Sequence, residues 1–192
     1  VGYGYDTGEG VEQDDAEAFK WYLRAAEQGN AYAQFNVGYG YDTGEGVEQD
    51  DAEAFKWYSK AAEQGNADAQ FNVGYGYDTG EGVEQDDAEA FKWYLRAAEQ
   101  GNAYAQFNVG YGYDTGEGVE QDDAEAFKWY LKAAEQGNSK AQFNVGYRYN
   151  NGKGIEQDDG EAFKWYLKAA EQGNAKAQFN VGYRYNNGKG IE

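Results

Sequence analysis

Residues 5–15, YDTGEGVEQDD, set five carboxylates (Asp6, Glu9, Glu12, Asp14 and Asp15) and two glycines into eleven positions. Oxygen-rich loops with glycine bind calcium, and Asp6, Glu9 and Glu12 are the side chains that would ligate it. Paired carboxylates also run general acid–base chemistry, as in glycoside hydrolysis. The pattern along the chain favours a connector over both, with calcium binding by the loops kept as the alternative. The spacing is not that of an EF-hand, and the segment returns unchanged at 41–51, 77–87 and 113–123. It returns again as YNNGKGIEQDD at 149–159, with Asn150 in place of the aspartate and Lys153 in place of a glutamate. Near-copies along an open row do not form the single concave pocket that shifts pKa values for catalysis. The segment reads as a connector whose last two acids start a helix, and no catalytic residue, metal ligand or cofactor is assigned.

That helix lies in DDAEAFKWYLRAAEQGN. Ala18, Trp21, Tyr22, Ala25 and Ala26 recur at the three-and-four spacing of one buried helical stripe, while Glu17, Lys20, Arg24 and Glu27 fall largely elsewhere. Asp14 is the expected N-cap, with Glu17 three residues on in a capping-box pattern, and Asp15 favours the positive end of the helix dipole. Gly29 ends this helix B, and Asn30 caps the next one at once. Helix A then runs through AYAQFNVGYGY, with Ala33, Val37 and Tyr41 on one face, and ends at the glycines of DTGEG. Each unit is an antiparallel helical hairpin, and no strand is expected.

Every feature recurs after 36 residues, as the column Trp21, Trp57, Trp93, Trp129 and Trp165 shows. Such a period marks a stacked array in which each unit buries its apolar face against its neighbours. The units are 1–30, 31–66, 67–102, 103–138 and 139–174, with a partial unit at 175–192, forming one array over 1–192. Composition narrows the function. Without cysteine or histidine there are no disulfides, no thiolate or imidazole metal sites and no Ser-His or Cys-His catalytic pair. Residues 1–138 hold 29 acids against 8 bases, and 139–192 hold 6 against 8, so an acidic body that repels nucleic acid and anionic membrane precedes a slightly basic tail. No apolar run approaches the roughly 20 residues of a membrane-spanning helix. The chain begins and ends within units and is expected to be an excised or processed piece. End-to-end stacking through apolar residues such as Val1, Phe179 and Val181 would turn it into a longer superhelix or fibre.

Differences between copies show what the structure tolerates. Gly38, Gly74, Gly110, Gly146 and Gly182 keep one column free of a side chain, which suggests close helix contact. Gly40, Gly76 and Gly112 become Arg148 and Arg184, which suggests an open face. Tyr32, Asp68, Tyr104, Lys140 and Lys176 mark a solvent-facing column, and the change from Leu23 to Ser59 marks a partly exposed site on helix B.

The unit AQFNVGYGYDTGEGVEQDDAEAFKWYLRAAEQGNA resembles a Sel1-like repeat. The shared elements are Ala33-Gln34, Gly38, Tyr41, Gly44, Gly46-Val47, Asp50 or Asp51, Ala54, Trp57-Tyr58, Ala61-Ala62 and Gln64-Gly65. The resemblance covers the whole chain. It implies an all-α fold, a right-handed superhelix of about five helical hairpins akin to tetratricopeptide arrays, acting as a non-enzymatic adaptor or scaffold. It also implies an exported or envelope-associated bacterial protein. The sequence departs from the family's cysteine-rich branch, and it has no S-x-x-K serine-lysine motif to carry the penicillin-binding or β-lactamase activity of that branch.

If helix A lines the concave side, as the resemblance implies, the partner-binding residues are Tyr32, Asn36, Tyr39, Asp68, Tyr75, Tyr104, Tyr111, Lys140, Arg148, Lys176 and Arg184. Together they would form aromatic platforms with a changing charge. The expected function is an interaction scaffold for a protein or peptide. The alternative is a structural array whose contacts are mainly with copies of itself.

Overall fold

A computed structural model describes residues 14–190. Every described element is a helix of 13 residues: α1 (Asp15–Glu27), α2 (Ala31–Thr43), α3 (Asp51–Glu63), α4 (Ala67–Thr79), α5 (Asp87–Glu99), α6 (Ala103–Thr115), α7 (Asp123–Glu135), α8 (Ser139–Asn151), α9 (Asp159–Glu171) and α10 (Ala175–Asn187). The odd-numbered helices are the B type and the even-numbered ones the A type. The chain falls into two compact units that divide between Gln100 and Gly101, and each is built from the same hairpins. No described helix is long and apolar enough to cross a membrane.

The boundaries follow from capping. Asp14, Asp50, Asp86, Asp122 and Asp158 each start a B helix, with a side-chain oxygen accepting from the backbone N–H of the glutamate three residues on, at 3.0 Å for Asp50 and Glu53. Among the described residues the reciprocal half of the capping box is not made at Asp50, Asp86, Asp122 or Asp158. The Asp50 backbone N–H donates to the Tyr41 carbonyl at 2.9 Å, and the same bond ties Asp86 to Tyr77 and Asp122 to Tyr113. Freed from that role, the glutamate pairs with a lysine one turn on, as Glu161 does with Lys164 at 2.7 Å. Asn30 caps α2, accepting from the Ala33 N–H at 2.9 Å. The A helices end on left-handed glycines, Gly44 having φ +79°.

The connector between an A helix and the next B helix is packed against the preceding repeat. A Cβ on Gly46 would lie 2.2 Å from the Asp15 carbonyl oxygen, so this glycine is required both by its φ of +75° and by the approach to α1. The A helix packs most extensively on the B helix that follows it, as α2 does on α3. Gly38 makes that approach possible: a Cβ there would sit 2.7 Å from the Tyr58 ring. Close helix contact, which the sequence suggested for this column, holds at Gly38, Gly74, Gly110 and Gly146, whereas nothing lies within 4 Å of a Cβ at Gly182.

Within each unit the buried residues form successive clusters. Phe19, Ala26, Ala33, Val37 and Trp57 make one, and Ala54, Tyr58, Ala61, Ala62, Ala69 and Val73 the next. Edge-to-face pairs such as Phe19–Tyr41, with centroids 5.2 Å apart, fill the space beside them. Trp57, Trp129 and Trp165 are buried as the stripe requires, whereas Trp21 is 37% exposed. The residues that cover Trp57 include Phe19 and Ala26.

Glutamines tie the two helices of a repeat to each other and the repeat to the one before it. Gln34 is buried; its amide donates to the Ala26 carbonyl at 3.1 Å, and its oxygen accepts from Gln64 at 2.7 Å. The pairs Gln70–Gln100, Gln106–Gln136 and Gln142–Gln172 repeat the second bond. A buried amide left without a partner costs about 1–3 kcal/mol, so this column is a structural requirement.

Candidate interaction surface

The outward side of the A helices carries the aromatic residues that the core does not use. Tyr32 is 66% exposed and Tyr39 42%, and they lie seven residues apart on α2, on one face and about 10 Å apart along the axis. Asn36, half-buried between them, donates its amide to the Tyr32 carbonyl at 2.9 Å. On α4 the same stripe carries exposed Asp68 and Tyr75. In the second unit it carries Tyr104 and Tyr111 on α6, Lys140 and Tyr147 on α8, and Lys176 and Tyr183 on α10, all exposed. Tyr147 and Tyr183 were not singled out from the sequence, although they stand in the same column as Tyr39.

The two arginines do not belong to this stripe. Arg148 is 1% exposed and Arg184 is 2% exposed, so the open face expected for the Gly40 column is corrected to a buried slot. The glycines of the column are buried too: a Cβ on Gly40 would lie 2.7 Å from the Phe19 ring. Arg148 Nη1 donates to the carbonyls of Asp123 at 2.9 Å and Lys153 at 3.2 Å, and Nη2 lies 2.7 Å from Asp114 Oδ1. The guanidinium also sits 5.4 Å from the Tyr130 ring centroid. Lys153 Nζ completes the cluster, 2.6 Å from Asp114 and 3.2 Å from Asp123. Two acids and two bases thus balance. Desolvation raises the Asp114 pKa, but the hydrogen bond from Lys153 and the Arg148 charge outweigh it and hold the carboxyl below its ordinary value. Arg184 repeats the arrangement, with Nη1 on the Asp159 carbonyl at 2.9 Å and Nη2 donating to Asn150 at 2.7 Å.

Tyrosines on the B helices line the inner side of these slots. Tyr58 donates its hydroxyl to Asp42 at 3.0 Å, and burial together with that carboxylate raises its pKa well above the ordinary value. Burial pushes the Tyr166 hydroxyl up to about 12. The acidic connectors form no metal centre among the described residues. Asp6, Glu9 and Glu12, the candidate calcium ligands, lie outside the described residues, as does Val1. Of the other apolar end residues, Phe179 is 74% exposed and Val181 half-buried.

Within each compact unit consecutive capped hairpins pack helix against helix, and such hairpins define a helical-repeat solenoid. The Sel1 repeat model matches residues 1–30, 31–66, 67–102, 103–138, 139–174 and 175–192, and the chain belongs to the Sel1 repeat family. A protective antigen present in uropathogenic Escherichia coli strains is 43% identical in the crystal, with a TM-score of 0.92 over 97% of this chain and 40% of that one. The present chain therefore spans two-fifths of that antigen. A Sel1 repeat protein from Oxalobacter formigenes is also 43% identical, with a TM-score of 0.86 over 100% of this chain and 76% of that one. Helicobacter pylori cysteine-rich protein B, at 22% identity and a TM-score of 0.52 over 65% of this chain and 90% of that one, shares the fold alone. No curated protein sequence matches. Sel1 repeat proteins are typically protein–protein interaction scaffolds and are generally not enzymes.

Proposed function

We propose that this chain is an interaction scaffold that binds a protein or peptide along the outward stripe of its A helices. Tyr32, Tyr39, Tyr75, Tyr104 and Tyr111 are the platforms, and Asp68, Lys140 and Lys176 set the local charge. One observation carries the reading: aromatic side chains are exposed by 42% to 68% along one face of each A helix, while the B-helix tyrosines Tyr58, Tyr94, Tyr130 and Tyr166 are buried. Tyrosine offers a large, stiff contact surface at low entropic cost, and singly scattered exposed rings would not line up at the spacing of a helix face. Arg148 and Arg184 take no part, being held inside the fold.

The test is selection of binding peptides from a displayed random library on the full chain, followed by titration against Tyr32→Ala/Tyr104→Ala. The double variant weakens binding by about tenfold or more, as loss of anchor residues does, with the circular dichroism spectrum unchanged. Equal affinity for both proteins removes the stripe as the site.

A further inference from the structure

The slot that Arg148 fills in the second unit has a counterpart in the first unit, two repeats earlier, where the equivalent residue is Gly76. There Asp42, Asp51 and Tyr58 stand where Asp114, Asp123 and Tyr130 surround the guanidinium, and Glu81 replaces Lys153. Both positive charges are thus absent, and a third carboxylate has been added. What remains is a cavity of about 40 Å³ for the centres of water-sized molecules, lined by these residues and by Phe55 and Tyr75. No basic side chain among the described residues pairs with Asp42, Asp51 or Glu81, and all three are exposed at its rim.

We infer that the Gly76 slot takes the guanidinium of an arginine side chain supplied by a partner polypeptide. The chain itself shows what the slot accepts, since Arg148 and Arg184 occupy its equivalents and serve two backbone carbonyls and a carboxylate or amide oxygen with one planar fork. A metal ion is a poorer fit, because the acids do not converge on one point anywhere among the described residues. A guanidinium spreads its donors over separated acceptors and can rest against the Tyr58 ring as Arg148 does against Tyr130. Tyr75 lines this slot and belongs to the outward stripe, so a peptide lying on that stripe would pass the slot mouth. The inference rests on the scaffold reading and names the partner's chemistry: an arginine placed to enter the acidic gap between repeats.

The experiment is calorimetric titration of the full chain, at low and physiological salt, with the blocked tripeptide Ala-Arg-Ala and with versions carrying citrulline or lysine. The arginine peptide binds saturably, and the neutral citrulline isostere does not. Gly76→Arg/Glu81→Lys, which copies the filled slot, removes the binding contributed by this site. Asp42→Asn/Glu81→Gln, which leaves the backbone untouched, weakens that contribution by about tenfold, in line with the loss of charge-assisted bonds. Arg148→Gly/Lys153→Glu, which empties a filled slot, adds a site. Equal binding of the arginine and citrulline peptides, or arginine binding indifferent to both slot variants, overturns the proposal. Failure of the scaffold reading is distinguishable: it would leave tripeptide binding intact while Tyr32→Ala/Tyr104→Ala had no effect on selected partners.

Discussion

Replacing glycine by alanine at two equivalent positions, Gly146 on α8 and Gly182 on α10, should change stability in opposite directions. Both lie inside 13-residue helices, where alanine gains about 1 kcal/mol over glycine. At Gly146 the new Cβ would stand 2.8 Å from Tyr166 Cδ1, 3.0 Å from Cε1 and 3.2 Å from the Ala162 carbonyl oxygen. Carbon atoms settle at about 3.5–4.0 Å, so the ring must retreat by roughly 0.7 Å or more. It has little room to do so: Tyr166 is 2% exposed and stands 5.6 Å from the Phe143 ring. Overpacking of this kind costs about 1–3 kcal/mol, which outweighs the helix gain. At Gly182 nothing lies within 4 Å, so only the gain remains. The propensity terms cancel between the two variants, and their difference, about 1–3 kcal/mol, measures the collision itself. Urea unfolding followed by circular dichroism gives the overall ordering. Hydrogen exchange on α8 and α10 reads each helix separately, since a repeat array need not unfold in one step. Equal shifts in the two variants would refute the argument that close helix approach fixes this glycine column.

Arg148→Met leaves Asp114 and Asp123 facing one lysine and should lower stability by about 3–5 kcal/mol in urea unfolding, and adding Asp114→Asn should recover part of that loss. The Asp114 pKa is held below its ordinary 3.8, so its contribution to stability is complete above that pH and lost as pH falls through the lower folded-state value; the gap between wild type and Asp114→Asn should close in acid. In base the sign reverses for Tyr166, whose pKa is raised: the stability it holds below pH 10 is lost as pH rises toward 12, and Tyr166→Phe should flatten that decline in alkaline melts. Asp50→Ala removes the acceptor for the Glu53 N–H and should cost about 1 kcal/mol in urea unfolding.

The hairpins, their caps and the close glycine contact were legible because each depends on neighbours along the chain: Asp14 before an amphipathic stripe, Gly29 and Asn30 in succession, Gly38 facing a ring. The Gly40 column misled because a glycine that becomes arginine looks like a position open to water. Its environment is set by residues from another repeat, Asp114 and Asp123, and the burial becomes intelligible only when the change from Glu45 to Lys153 is read with it as a second added cation. Gln34 and Gln64 gave no signal of their partnership, since a buried amide pair has no periodic apolar signature. The tyrosines at 32 and 39 could be placed on the surface from the variation at column 32, yet nothing local distinguished them from the buried Tyr58.

The bond from the Gln34 amide to the Ala26 carbonyl of the repeat before is formed again, with the same donor and acceptor, from Gln70 to Ala62, from Gln142 to Ala134 and from Gln178 to Ala170. Excising one whole repeat from a gene encoding such a chain would join a donor to an acceptor identical to the one it lost, whereas removing a few residues would leave both stranded. Copy number is therefore free to drift by recombination in whole steps, and the length of the scaffold can evolve without any new contact having to be invented.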